Sequence, residues 1–391
     1  DKSLKINPTV FDQTFSQKVC GQAFFEKGCD HAVSRGFSIK PFLKRFAFVS
    51  KHFFEKVYEQ KVIYKLPGFF FPMKILIAEF AVGTDIEKSL IPEGAAMLKT
   101  LAESFVHLGH EVYYPSAGTK ICAGKHFEST AENFRQAIDR KAKDCDAGLI
   151  IAPDSMLPEL NKALEENTVN LGCSPRSAAS CADKLLCTEI LKKARIKSPE
   201  IAKESEKGKK YVIKPRFGCG AEATYLVTEF DNEEELIANE YVEGEHLSVS
   251  LIAGKNPLPL TVNRQFIEFG EKKIEAKDSR KNGVHEIKYN GSLTPYQTPR
   301  REELYETAVS TVKCLDCFGY VGVDIILADL PYVVDVNPRP TASLFGINRV
   351  MREEIGDLLL KNRFGELPES VHIEGEYRFS KDGLGELFER A

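Results

Sequence analysis

The chain has no tryptophan, only four methionines, and no apolar run approaching the roughly 20 residues a membrane-crossing helix needs. The missing run excludes a helical membrane protein, so no membrane partner is expected. There is no excess of positive charge either. The net charge of −4 argues against general affinity for nucleic acid, and no nucleic-acid partner is expected. The ten cysteines form no paired CxxC motifs. A lone CxxC, Cys314 and Cys317, lies inside an apparent amphipathic helix. It leaves metal or redox use open, with buried thiols as the plainer reading. This cysteine usage points to a reducing cytoplasm.

What is present fits a globular protein of two or three domains: 391 residues, 43% hydrophobic and 28% charged. The first 72 residues stand apart. They hold 13 of the 26 phenylalanines, no methionine, and a charge of +6, against −10 for the remainder. They lack the three-part pattern of a signal peptide. Met73 is the first methionine and a buried-strand pattern starts directly after it. The expectation is that Met73 is the natural start and that residues 1–72 are an atypical extension. The alternative is a basic, aromatic docking arm.

From Met73 onward, strand and helix alternate. Lys74–Glu79 (KILIAE) and Ala147–Ala152 (AGLIIA) are continuous apolar runs, as strands covered on both faces require. Glu111–Tyr114 and Val169–Gly172 are shorter strands. Pro92–Leu108, Ala131–Lys143 and Asp154–Glu166 have helical spacing. Residues 73–178 therefore read as an α/β layer. Glu79 at a strand end and Glu93-Gly94 at a helix start either face a ligand or serve turn and cap roles. Ser174–Ala182 reads as a linker. Asp183 suits the N-cap of a helix over Lys184–Ala194, and Lys184 in its first turn opposes the helix dipole, which hints at an anionic partner.

Further on, Lys210–Pro215 is a strand carrying Lys214 and running into Gly218-Cys219-Gly220-Ala221. Small residues let backbone N–H groups approach phosphate, and a lysine beside them supplies a point charge. The loop is neither a P-loop nor a Rossmann fingerprint, and a plain hairpin turn is an equal contender. An acidic helix over Asn232–Ile237 precedes Glu240-Tyr241-Val242, whose backbone could pair with an adenine. Strands are expected over Leu247–Ala253 and Leu258–Phe266, the latter carrying Arg264. Glu271–Thr298 lacks periodicity and reads as a long loop. Arg300–Phe318 is a helix, and the tail from Arg352 is helical, then irregular.

The densest chemistry lies in Gly319–Ser343. Two apolar strands flank a turn at Ala328–Pro331. The first carries Asp324; the second carries Asp335 and Asn337, which point the same way, with Arg339 beyond. An antiparallel hairpin brings Asp324 beside that pair. Such a set of carboxylate and amide oxygens suits Mg²⁺ shared with nucleotide phosphates.

The ordered set Lys184, Lys214 with its glycine loop, Glu240–Val242, Asp324 and Asp335-x-Asn337-x-Arg339 resembles the ATP-grasp superfamily over about Asp183–Ser343. The resemblance implies an ATP-grasp fold, α/β and α+β, behind an N-terminal α/β domain. Residues 179–243 would form the small lobe and 244–391 the large lobe with the tail. It also implies ATP and two Mg²⁺ (or Mn²⁺) ions as cofactors. Lys184 and Lys214 match phosphate-binding lysines, Gly218, Cys219, Gly220 and Ala221 the flexible phosphate cover, and Glu240, Tyr241 and Val242 the adenine hinge. Asp324, Asp335 and Asn337 match the metal ligands, and Arg339 the arginine near the transferred phosphate. Two positions depart from the pattern. Asp335 stands where many members have glutamate. At the usual ribose-binding position stands His246, so Glu245, one earlier, takes that role.

The stretches EFAVG, EGAAML, NLGCSP, KYVIKPRFGCG, EYVEGEHLSVSLIAG, PLTVNRQFI and VKCLD–GYVGVD resemble the archaeal tyramine–glutamate ligases of methanofuran biosynthesis, through nearly all of residues 73–348. That likeness implies L-glutamate and tyramine as small-molecule partners and an acylphosphate route, with Arg264 as a phosphate or carboxylate contact. Another acid–amine pair, or a nucleotide-binding regulatory module without catalysis, stays open, as does a homo-oligomer.

Overall fold

A computed structural model describes residues 72–218, 223–231, 233–271, 284–381 and 383. All of these lie in one compact unit, Leu66–Ala391. The readings made of residues 1–71 and of Cys219, Gly220 and Ala221 lie outside the described residues.

The apolar runs become the centre of a five-stranded sheet. Its strands are β1 (Lys74–Glu79), β2 (Glu111–Ser116), β3 (Lys125–Glu128), β4 (Ala147–Ile151) and β5 (Val169–Asn170). The order is β3-β2-β1-β4-β5 and every pairing is parallel. β1 and β4 are buried almost throughout, because helices α1 (Phe80–Thr84), α2 (Ile91–His107), α3 (Phe134–Ala142) and α4 (Leu157–Glu165) are the crossovers of a parallel sheet. β3 escaped the sequence reading because Lys-His-Phe-Glu is an edge strand, mostly exposed.

Ser174–Ala182 is not a linker. Pro175–Ala182 forms α5, with Pro175 in its first turn and the Ser174 hydroxyl accepting from the Ser177 N–H at 3.1 Å. Its small residues looked like a spacer; they allow Ala178 and Cys181 to pack into the core. The next helix, α6 (Lys184–Lys193), starts as expected, with the Asp183 carboxylate accepting from the N–H groups of Leu185 and Leu186.

The second sheet has nine strands: β6 (Tyr211–Pro215), β7 (Tyr225–Val227), β8 (Leu236–Glu240), β9 (Glu245–Ala253), β10 (Leu258–Glu271), β11 (His285–Thr294), β12 (Gly319–Leu327), β13 (Pro331–Asn337) and β14 (Tyr377–Ser380). They run in the order β13-β12-β9-β10-β11-β7-β6-β8, with β14 beside β11. Two expectations change here. The acidic stretch before Glu240 is a turn and strand β8, not a helix, because Ile237 and Ala238 are buried while β8 completes the antiparallel ladder of β6. Asn232 lies outside the described residues. The aperiodic stretch after Glu271 contains β11, whose polar residues are held by backbone pairing to β10, β7 and β14; residues 272–283 lie outside the described residues.

Helix α7 (Arg301–Cys314) packs Leu304, Ala308 and Val312 into the core shared with Leu247, Val249, Leu251, Val321 and Val323. Each fully buried leucine or valine there contributes about 1.5–3 kcal/mol. Helices α8 (Ser343–Val350) and α9 (Ile355–Phe364) follow the hairpin. Cys314 ends α7, and Cys317 is buried with its Sγ 3.7 Å from that of Cys181. The seven described cysteines are free thiols. Among the described residues no helix is long and apolar enough to cross a membrane.

The two sheets meet closely at Gly319, where β12 begins. Its φ is +77°, and an added Cβ would press into the Leu171 carbonyl. Gly319→Ala should therefore lower stability by about 2 kcal/mol or more. Urea unfolding tests this; an unchanged midpoint would contradict the close approach.

Candidate active site

The site is built on the β12–β13 hairpin. Its register places Asp324 directly opposite Asp335, and Asn337 opposite Gly322, with a bulge just after Asp324. Opposed residues share a face, so the two carboxylates and the amide come together as the strand pattern required. Asp324 Oδ1 accepts from Gln265 Nε2 at 2.9 Å, and Oδ2 from Asn337 Nδ2 at 3.2 Å. Asp335 takes both oxygens to Lys184 Nζ, at 2.7 and 2.8 Å. Lys214 Nζ donates to the Val334 carbonyl at 2.7 Å. Two lysines from two separate elements, α6 and β6, thus converge on β13.

Electrostatics separate the two acids. Burial, reinforced by the Asp335 charge, pushes Asp324 up to about 7. Burial acts on Asp335 as well, but Lys184 and Lys214 outweigh it and hold that carboxyl below its usual range. Burial by itself would lower Lys184; the paired Asp335 raises it. Lys214 is carried down to about 8 by burial, with Lys184 adding to the effect.

Arg339 lies beyond β13, and its Nε donates to Asp154 Oδ1 at 2.9 Å. The pair is deeply buried, at 11% and 2% side-chain exposure. It joins the parallel sheet to the hairpin, since Asp154 follows β4. Asp183 does two jobs: besides capping α6 it accepts two hydrogen bonds from Arg216, at 2.8 and 2.7 Å, fixing the start of the glycine loop.

A cavity of about 220 Å³ opens between these groups. Lys184, Lys214, Gly218, Asp324, Asp335, Asn337 and Arg339 line it, as do Glu240, Tyr241 and Val242. Two expected residues do not. Glu245 is exposed and accepts from the Tyr296 hydroxyl at 3.2 Å. Arg264 is exposed too, its guanidinium 5.4 Å from the Tyr296 ring centre. Strand alternation is the reason. The neighbours His246 and Gln265 point inward and line the cavity in their place. Sequence reasoning missed Gln265, Asp154 and the cavity role of His246. The NRQ triplet held the first of these one position away.

The donor set fits a hard cation such as Mg²⁺: two carboxylates and an amide oxygen, with room beside them for a phosphate chain. Among the described residues no group of three or more His, Cys, Asp or Glu is arranged to hold a metal without such help.

Residues 181–343 match the ATP-grasp domain family. The chain is 31% identical to the tyramine–L-glutamate ligase of Methanocaldococcus fervens, over 75% of this chain and 94% of that enzyme. The chain belongs to the ATP-grasp ligase family. It is 30% identical to the tyramine–L-glutamate ligase of Methanocaldococcus jannaschii, over 75% of this chain and 90% of that one. An ATP-grasp superfamily protein from Archaeoglobus fulgidus superposes with a TM-score of 0.62 at 29% identity, covering 76% of this chain and 90% of its own. The protein is therefore an enzyme of the ATP-consuming, amide-forming class.

The Lys184–Asp335 pair makes a separable prediction. Asp335→Ala should abolish turnover and also lower stability by about 3–5 kcal/mol, because Lys184 stays buried without its partner. Adding Lys184→Met should recover much of the stability in urea unfolding but none of the turnover. Activity in Asp335→Ala would refute the role of the hairpin.

Proposed function

We propose that this ATP-grasp ligase joins the γ-carboxylate of L-glutamate to the primary amine of tyramine, releasing ADP and phosphate. The carrying observation is the match to the Methanocaldococcus fervens enzyme along 94% of its length, in a chain whose hairpin assembles Asp324, Asp335 and Asn337 on one cavity.

A carboxylate is a poor electrophile, so glutamate must first accept a phosphoryl group. Lys184 and Arg339 provide positive charge for the phosphates inside a low-dielectric cleft, and Lys214 adds its own below about pH 8. Glu240, Tyr241 and Val242 form the adenine-binding edge at the end of β8. Asp324, Asp335 and Asn337 would hold Mg²⁺ or Mn²⁺, two ions in this reading, which neutralise charge building on the transferred phosphoryl group. Acylphosphate formation and aminolysis then depend on positioning. The acylphosphate must be kept from water until the amine arrives.

The direct test is ADP release with ATP, Mg²⁺, glutamate and tyramine, omitting each in turn, with product mass. Turnover that requires all four and yields γ-glutamyltyramine is expected. Turnover restored only by a different acid–amine pair would overturn the substrates and keep the ligase. ATP binding without turnover under every pair would favour a regulatory module.

The low value of Lys214 adds a pH signature. The lysine carries its charge below about 8 and loses it above. Since kcat/KM reports the free enzyme, kcat/KM for ATP should fall as pH rises through about 8. Lys214→Arg should remove that limb, because arginine stays charged. An identical pH profile in the variant would contradict the assignment.

A further inference from the structure

A second cavity, of about 400 Å³, adjoins the first and shares Arg339, Glu93, Ile287 and Tyr289 with it. It sits beyond the carboxyl ends of β1 and β4, lined by Glu79–Ala81 after one strand and Ile151–Pro153 after the other. In the order β3-β2-β1-β4-β5 the chain moves one way from β1 to β2 and β3, then crosses to β4 and β5. The switch point thus falls between β1 and β4, where open parallel sheets bind ligands.

The chemistry of the lining selects a cation with an apolar body. Glu79 is 5% exposed, and its carboxylate accepts from the Val82 N–H at 2.7 Å. Gly94 leaves room for that carboxylate, since a Cβ there would overlap it. Glu87 and Glu93 line the same cavity, and Phe80, Leu90 and Met97 supply apolar surface. The opposing charges are largely spoken for: Arg339 is paired with Asp154, and Lys288 with Glu286 at 3.0 Å, which leaves Lys381 against the three acids. L-glutamate has an ammonium too, but it would bring two carboxylates among three acids, whereas an amine brings its positive charge alone. An arylalkylamine would place its ring on the apolar side and its ammonium on Glu79.

We propose that this second cavity binds the primary-amine substrate, with the Glu79 carboxylate holding its ammonium group and taking the proton that must leave before attack. This rests on the ligase reading above. The ammonium gives one proton to Glu79. The free amine nitrogen then forms the C–N bond with the acylphosphate carbon, the C–O bond to phosphate breaks, and phosphate leaves with the electron pair and the amine's second proton. Arg339, common to both cavities, marks the side from which the amine reaches the acylphosphate. Burial also lifts the Glu79 carboxyl to about 7, a value suited to exchanging a proton near neutrality.

The test compares two fates of one intermediate. Hydroxylamine, uncharged at neutral pH, traps the glutamyl phosphate as a hydroxamate and needs no ammonium site; tyramine gives the amide. In Glu79→Gln the amide-to-hydroxamate ratio should fall about 100-fold. Leu90→Trp, which narrows the cavity without touching Glu79, should raise KM for tyramine while leaving KM for glutamate unchanged, and it covers the case in which Glu79→Gln fails to fold. Equal loss of both products in Glu79→Gln, or a KM effect on glutamate in Leu90→Trp, would overturn the proposal. Failure of the unmodified enzyme to make hydroxamate would instead sink the ligase reading itself.

Discussion

Two buried carboxylates face one another across β12 and β13, and the surrounding structure is arranged to tolerate them. Like charges this close, away from water, cannot both ionise without help. Lys184 and Lys214 stabilise the ionised Asp335, while the amide donors Gln265 and Asn337 hold Asp324. These four groups come from α6, β6, β10 and β13. The hairpin thereby dictates where α6 begins, and how β10 is phased. The Asp183 cap shows the same constraint at the next distance out, since it fixes both the start of α6 and Arg216.

The parallel sheet is tied to this centre by contacts that tolerate little change. Gly319 meets the Leu171 carbonyl where β5 ends, and Arg339 reaches Asp154 just after β4. A buried ion pair is a poor source of net stability, because desolvation offsets the attraction. Its value lies in geometry: two ends of different sheets must keep their relation for the charges to stay paired. The carboxyl ends of β1 and β4 consequently open onto the same region as the β12–β13 hairpin. Two cavities sharing Arg339 suit a reaction in which two substrates must meet.

Much of this was legible in the sequence, and the failures have physical causes. KILIAE and AGLIIA announced buried parallel strands because each run is short, apolar on both faces, and alternates along the chain with helical spacing. The pairing of Asp324 with Asp335-x-Asn337 followed from period-two alternation around a short turn. The stretch Pro175–Ala182 was missed because small residues serve helix packing and linkers alike. β8 and β11 were missed because backbone pairing imposes extended structure on polar residues, and that pairing is not local. Glu245 and Arg264 show a finer limit. Each lies one residue from the side chain that faces the cavity, and only strand phase, set by the ladder of β9 and β10, separates them. Gln265 and Asp154 carry no local signal, because their partners lie 59 and 185 residues away in the chain.

Charge balance at the centre bears on what must enter with the nucleotide. Asp324, Asp335 and Asp154 stand against Lys184, Lys214 and Arg339, with Asp324 lifted to about 7 and Lys214 lowered to about 8 by the same burial. The groups are therefore close to neutral among themselves. A triphosphate adds several negative charges to a region already largely removed from water, where an uncompensated charge costs several kcal/mol. Lys214, already counted as charged near neutral pH, has no further charge to give. The two aspartates would meanwhile repel the phosphates. Divalent cations bound with the nucleotide would resolve both problems together: they would offset phosphate charge, and Asp324, as a ligand, would hold its proton less tightly. The near-neutral cluster thus favours binding the nucleotide as its metal complex.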